Sequence, residues 1–277
     1  MQEAVAKTGA WLLMGVLTFP PAAEAAKLKA EAAQGFEQYV QRTEQRIQHE
    51  VQSARTFLRL DALSGVPRTQ TLQQLRQGAV VIERVDGESG DATPATPGAM
   101  IHHWMGTILL PGATLARALR VAQDYDAHQK YFSPEVVRSR ILKQQGDDFQ
   151  VSLRLQRTKI VTAVFETEHQ IRYHRLDASH VYSESRSSRI VEVENPGEAE
   201  ERELPPGEDH GFLWRLNSYW RFAEAGDGVY VQCEAVSLTR DIPTGLGWLI
   251  GPFVESIPRE SLQFTLESLR GAVARAW

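Results

Sequence analysis

The chain has 277 residues, of which 42% are hydrophobic and 23% charged, enough apolar material for a sizeable core in one or two domains. A formal net charge of −5 and a pI near 5.9 leave no general attraction to nucleic acid, which asks for a basic stripe or domain. One cysteine, Cys233, excludes an intramolecular disulfide framework and any multi-cysteine zinc site.

Residues 1–26 read as a cleaved signal peptide. Lys7 precedes the apolar run Ala10 to Phe19, Pro20-Pro21 break any helix, and Ala23-Glu24-Ala25 has the small-x-small pattern of a cleavage site. The run is far shorter than the about 20 residues that span a bilayer. Cleavage after Ala25 would send the protein to the periplasm or the exterior.

From Lys27 to about Leu63, Phe36, Val40, Ile47, Val51, Ala54 and Leu58 fall on one helical face. Arg42, Glu44, Arg46 and Glu50 lie off that stripe and read as its solvated side. Residues 27–74 are thus an N-terminal helical segment ahead of a main domain at 75–277. Strands are expected at Ala79 to Val85 and Met100 to Leu110, joined by a long loop over 86–99. Thr114 to Asp124 is a helix with Thr114 as N-cap, leading through Tyr125, Tyr131 and Phe132 to Pro134.

Phe149, Val151, Leu153 and Leu155 alternate with polar residues, the period of a half-buried strand, and Ile160 to Arg175 and Val181 to Val193 are also strand-like. The acidic stretch Glu194 to His210 reads as a solvated loop. Phe212 to Arg240 is a hairpin about Ala225-Gly226-Asp227-Gly228 that sets Trp220 opposite Cys233 and Phe222 opposite Val231. One face then carries Leu216, Ser218, Trp220, Phe222, Val231, Cys233, Ala235 and Ser237 and points inward. The other carries Arg215, Asn217, Tyr219, Arg221, Gln232 and Glu234, with Arg221 and Glu234 expected as a surface cross-strand ion pair.

Gly245 to Val254 is apolar and interrupted by glycines, a loop that would plug something; Pro258 to Arg275 is a helix with the stripe Leu262, Leu266, Leu269 and Val273. Trp248, Leu249, Ile250 and Phe253 are candidates for a mobile lid touching a membrane in transient contact.

Three further groups carry a sharper and a plainer reading. His102 and His103 invite a metal, but neighbours on a strand point to opposite faces, so packing or hydrogen bonding is preferred. Asp124, Asp126 and His128 lack a nucleophile and read as helix-end groups. Cys233 reads as a small buried hydrophobe. Phosphate loops, nucleophile elbows and His-Glu-x-x-His runs are absent from the sequence, and no cofactor is called for.

Gln123-Asp124-Tyr125-Asp126 with Tyr131-Phe132-Ser133-Pro134, then Tyr219-Trp220-Arg221-Phe222, Val229 to Glu234, Leu238 to Pro243 and Ile257 to Leu262, resemble the START-like or SRPBCC superfamily over roughly residues 75 to 277. That group includes birch-pollen-allergen-type proteins, polyketide cyclases and lipid-transfer domains. The resemblance implies an α+β helix-grip fold, a curved antiparallel sheet around a long C-terminal helix, enclosing a hydrophobic cavity for a lipid, quinone or polyketide-like ligand. It carries over no catalytic residue. Trp220, Phe222, Leu216, Cys233, Ala235, Tyr131, Leu262 and Leu266 are the expected cavity lining. A cyclase or aromatase, or a ligand-free scaffold, are the alternatives.

Overall fold

The computed structural model describes residues 26–53, 55–85, 94–159, 161–242 and 247–276; the side chains of 247–255 lie outside the description, as does the expected signal segment up to Ala25. Helices α1 (Ala30–Val51), α2 (Arg59–Ala62) and α3 (Gly65–Arg76) precede strands β1 (Val81–Arg84) and β2 (Ala99–Pro111). Helix α4 (Leu115–Gln123), a 3-10 turn (Tyr125–Ala127) and α5 (His128–Tyr131) lead into β3 (Val136–Gln145), β4 (Asp148–Thr158), β5 (Thr162–Arg175), β6 (His180–Glu194) and β7 (Arg202–Glu203). Strands β8 (Arg215–Ala225) and β9 (Gly228–Arg240) and helix α6 (Gly247–Arg275) complete the chain.

The strands form one antiparallel sheet in the order β1-β2-β9-β8-β6-β5-β4-β3, with β7 appended to β6. This curved sheet and the long C-terminal helix are the helix-grip arrangement. In the β8–β9 hairpin, Trp220 pairs with Cys233 and Phe222 with Val231, the expected register. Gly228 closes the turn with φ +140°, where an added Cβ would lie 2.1 Å from the Leu110 carbonyl oxygen, so no larger side chain fits.

Helix α6 grips the sheet from two sides. Over β2 it is so close that a Cβ on Gly106 would sit 2.5 Å from Leu266 Cδ1. Toward the β4–β5 turn, Glu260 accepts from Lys159 Nζ at 2.7 Å and from Arg157 Nη2 at 3.0 Å. The core on this side gathers Ile108, Leu110, Leu115, Leu119, Phe222, Val231, Cys233, Leu262, Leu266 and Leu269. Thr114 caps α4 as expected, its hydroxyl accepting from the Arg117 amide at 3.3 Å.

The opposite sheet face is also covered. Phe36, Val40, Ile47 and Val51 of α1, with Phe57 and Leu58 beyond it, pack on Ile101, Leu109, Tyr182, Tyr219, Tyr230 and Val236. Both faces of the central strands are therefore covered over much of their length, and the first ten residues of β9 include only one that is not buried.

Five expectations need correction. The N-terminal helix ends at Val51 rather than near Leu63; Thr56 then turns back, its hydroxyl donating to the Glu50 carbonyl at 2.8 Å, and Leu58 enters the core from outside the helix. Arg46, Glu44 and Glu50 are engaged by the sheet rather than solvated. Strand β3 goes unseen because two register shifts break its alternation. The acidic stretch after Glu194 is mostly exposed as expected, but it is not all loop: it contains β7, and some of its acids pair with arginines, as in Arg154–Glu201 at 2.8 Å. Helix α6 begins at Gly247, so the backbone expected as a lid loop is helical and runs through Pro252 and Pro258.

Candidate functional site

The hairpin register fixes which side chains meet α6. On rows shared by β2, β9, β8 and β6, Gly106, Cys233, Trp220 and Ser183 lie side by side, as do Trp104, Ala235, Ser218 and Ser185. Phe222, Val231 and Cys233 are sealed beneath Leu262, Leu266 and Leu269. Further along the same face Trp104, Leu216, Ser218, Trp220 and Ala235 are only half-buried. The Trp220 ring stacks on Phe222, centroids 6.2 Å apart and planes inclined by 15°, and its indole N–H donates to Ser218 Oγ at 3.3 Å.

Of the expected lining, Phe222, Cys233, Leu262 and Leu266 are in the α6-side core, and Trp220 and Tyr131 pack against its edge. Leu216 and Ala235 share the sheet face by register but are not members of that core. Tyr131 points its hydroxyl at Asp124 Oδ2, 2.7 Å away. The side chains of Trp248, Leu249, Ile250 and Phe253 lie outside the described residues.

The hairpin alone reads as an apolar inner face, whereas β5 and β6 bring polar groups to it. Thr167, His169, Ser183 and Ser185 are buried there. The Thr167 hydroxyl donates to the Leu153 carbonyl at 3.0 Å, so its oxygen accepts from His169 Nε2, 3.1 Å away. Burial lowers His169 to about 4, leaving a neutral imidazole at neutral pH. These strands alternate only loosely in sequence, so the residues' common face emerges from pairing partners rather than from any local signal.

The other candidates resolve into structural roles. His102 and His103 point to opposite faces, His102 Nε2 at 3.0 Å from Thr239 Oγ1 and His103 Nε2 at 2.7 Å from Glu234 Oε1. Asp126 Oδ1 accepts the Ile141 amide at 2.7 Å, while His128 is buried, lowered to about 4 by that burial, and 3.2 Å from the Ala122 carbonyl oxygen. Burial first, then the neighbouring Glu234 charge, pushes the Cys233 thiol well up, which keeps it protonated and unreactive. Among the described residues no three His, Cys, Asp or Glu side chains gather as a metal-ligand set.

Arg221 and Glu234 are not a surface pair: α1 covers them, leaving Arg221 1% and Glu234 0% exposed. Glu234 accepts from His103 and Arg46, and Arg221 donates to Glu50 Oε2 at 2.6 Å and to the Phe57 carbonyl at 2.7 Å. Burial by itself would raise Glu234; the His103 hydrogen bond and the Arg46 and Arg221 charges outweigh it and hold the carboxyl at about 2. The alternation of polar and apolar residues marks this face correctly but carries no information on what covers it.

No family model and no curated protein matches the chain. Solved structures to which it is similar include human STARD10, at 7% identity and TM-score 0.45, over 77% of this chain and 81% of that one. A STAR-related lipid transfer protein from Xanthomonas axonopodis shares 18% identity at TM-score 0.43, over 70% of this chain and 99% of that one. The Zhui aromatase/cyclase from Streptomyces shares 14% identity at TM-score 0.40, over 64% and 95%. At these identities the likeness concerns the fold, and it is to START-related and aromatase/cyclase structures that the chain is similar.

Proposed function

We propose that the protein binds an amphipathic, largely apolar ligand between the sheet and α6. The observation that supports this is the change along one sheet face, sealed by Leu262, Leu266 and Leu269 at one end and only half-buried around Trp104, Leu216, Trp220 and Ala235 at the other. Apolar surface that remains partly open in an otherwise packed interior is where an apolar body gains by leaving water. Thr167, His169, Ser183 and Ser185 on neighbouring strands offer the few polar contacts that orient a head group. Among the described residues this face is mostly apolar, which supports binding as the first reading, with a cyclase or aromatase as the alternative. Export through residues 1–26, and transient membrane contact through Trp248 and its neighbours, belong to this reading as proposals from the sequence. Among the described residues no helix is long and apolar enough to cross a membrane.

Native mass spectrometry of the purified protein, with organic extraction of what it retains, tests the reading. A stoichiometric apolar adduct, reduced in Trp220→Ala while folding is retained, is expected. Failure to retain or take up any fatty acid or quinone offered in excess would contradict it.

A further inference from the structure

Two polar atoms on the α6 face of the sheet have no hydrogen-bond partner among the described residues: Nδ1 of His169 and Oγ of Ser185. Their residues are only 4% and 8% exposed, yet neither atom is fully enclosed, so both keep surface that a bound molecule can reach. The chain fixes what each atom offers. The Thr167 hydroxyl gives its proton to the Leu153 carbonyl, so its oxygen takes one from His169 Nε2; the imidazole proton is therefore on Nε2 and Nδ1 presents a lone pair. Burial, which lowers His169 to about 4, preserves that form at neutral pH. Because His169 pairs with Ser187 and Ile171 with Ser185, His169 and Ser185 are diagonal neighbours about 7–8 Å apart, a span that one oxygen hydrogen-bonded to both side chains can bridge.

The surroundings are uncharged. On the rows that cross the sheet through these two residues, their neighbours are Val151 and Ser187, and Ile171 and Ser218. Along the Ser185 row toward β1 the first charged side chain is Arg84, which lies over the Trp104 ring, four strands and so about 19 Å from Ser185. Resting on the binding reading above, we propose that the ligand of the α6 site carries an uncharged hydroxyl, an alcohol or a phenol, that donates to His169 Nδ1 and accepts from the Ser185 hydroxyl. A hydroxyl both donates and accepts, which is what this pair asks for. A carbonyl or ether oxygen accepts only, and leaves the Nδ1 lone pair facing another. A carboxylate has the same fault and would also shed its water without a counter-charge beside it.

The test titrates the protein at neutral pH with three probes of one chain length: 1-dodecanol, its methyl ether and laurate. Dodecanol should bind about tenfold more tightly than either of the others. The ether keeps the acceptor oxygen but has no proton for Nδ1, and laurate brings a charge. In nitrogen-15-labelled protein the His169 Nδ1 resonance, that of an unprotonated ring nitrogen, should move upfield with dodecanol and hold its place with the ether. His169→Phe keeps a planar ring and removes the acceptor, so the preference for alcohol over ether should vanish. Ser185→Ala should weaken alcohol and ether alike. Should either variant fail to fold, the Nδ1 shift of the unaltered chain decides alone. Equal affinity for all three probes, tighter binding of laurate, or an Nδ1 resonance that dodecanol leaves in place would overturn the proposal while the binding reading stands. Binding of none of the three would overturn both.

Discussion

Glu234→Ala probes whether α1 is clamped to the sheet by a buried charged layer. The carboxylate is fully enclosed, accepts from His103 at 2.7 Å and from Arg46, and stands 3.8 Å from Arg221 Nη2. Truncation leaves Arg221, itself 1% exposed, with Glu50 as its remaining counter-charge among the described residues, and removes the partner of His103 Nε2. Removing one partner of a buried ionic group costs about 3–5 kcal/mol, because the other charge stays buried and uncompensated. Glu50→Ala should cost less, since the Glu50 side chain is 26% exposed and water can replace part of what it gives. Urea unfolding followed by circular dichroism measures both. The double variant Arg46→Ala with Glu234→Ala should be less damaging than the two losses added, by about 1 kcal/mol or more. A Glu234→Ala loss below about 1 kcal/mol would mean a hydrated carboxylate and refute the clamp.

The remaining expectations concern helix docking, pH and export. Gly106→Val should cost about 1–3 kcal/mol in the same unfolding assay by driving a side chain into Leu266 and Leu262; no cost would mean that α6 does not rest on β2. Burial lowers His128 and His169 to about 4 from an ordinary value of 6.5, so the unfolded chain binds protons first as pH falls. Stability should therefore decline from about pH 6.5 and level off below about 4 for these groups, with a shallower decline in His169→Asn; equal slopes for wild type and variant would place His169 in water. Expressed from Met1 in an exporting bacterium, the mature protein should begin at Ala26 or Lys27 by N-terminal sequencing, and a cytoplasmic chain with Met1 intact would end the export reading.

How far the sequence speaks varies with the locality of the signal. The β8–β9 register is legible because the Gly226-Asp227-Gly228 turn and the period of two act together over neighbouring residues. The apolar stripe of Leu262, Leu266 and Leu269 points at the sheet for the same reason. Strand β3 is hidden by its bulges, and α6 extends through glycine and proline where local propensity argues for a loop. The polar face of the hairpin misleads most. Arg221, Gln232 and Glu234 alternate as a surface would, yet α1, far away in sequence, supplies Arg46 and Glu50 to satisfy them in a dry layer. Only long-range packing distinguishes a solvated polar face from a buried network. Likewise the buried Thr167, His169, Ser183 and Ser185 become one patch only through the pairing of β5 with β6.

The central claim, an apolar ligand held between the sheet and α6, is tested most directly by a nitroxide-labelled stearate added to the protein while indole N–H resonances are followed. Trp104 and Trp220 lie on the α6 face, and Trp214 packs on the opposite side of the sheet in the α1 core, its N–H donating to Asp209 Oδ1 at 2.8 Å. The account predicts that one equivalent of bound label broadens Trp104 and Trp220 while Trp214 keeps its intensity. Selective loss at Trp214, or equal loss at all three, would contradict it.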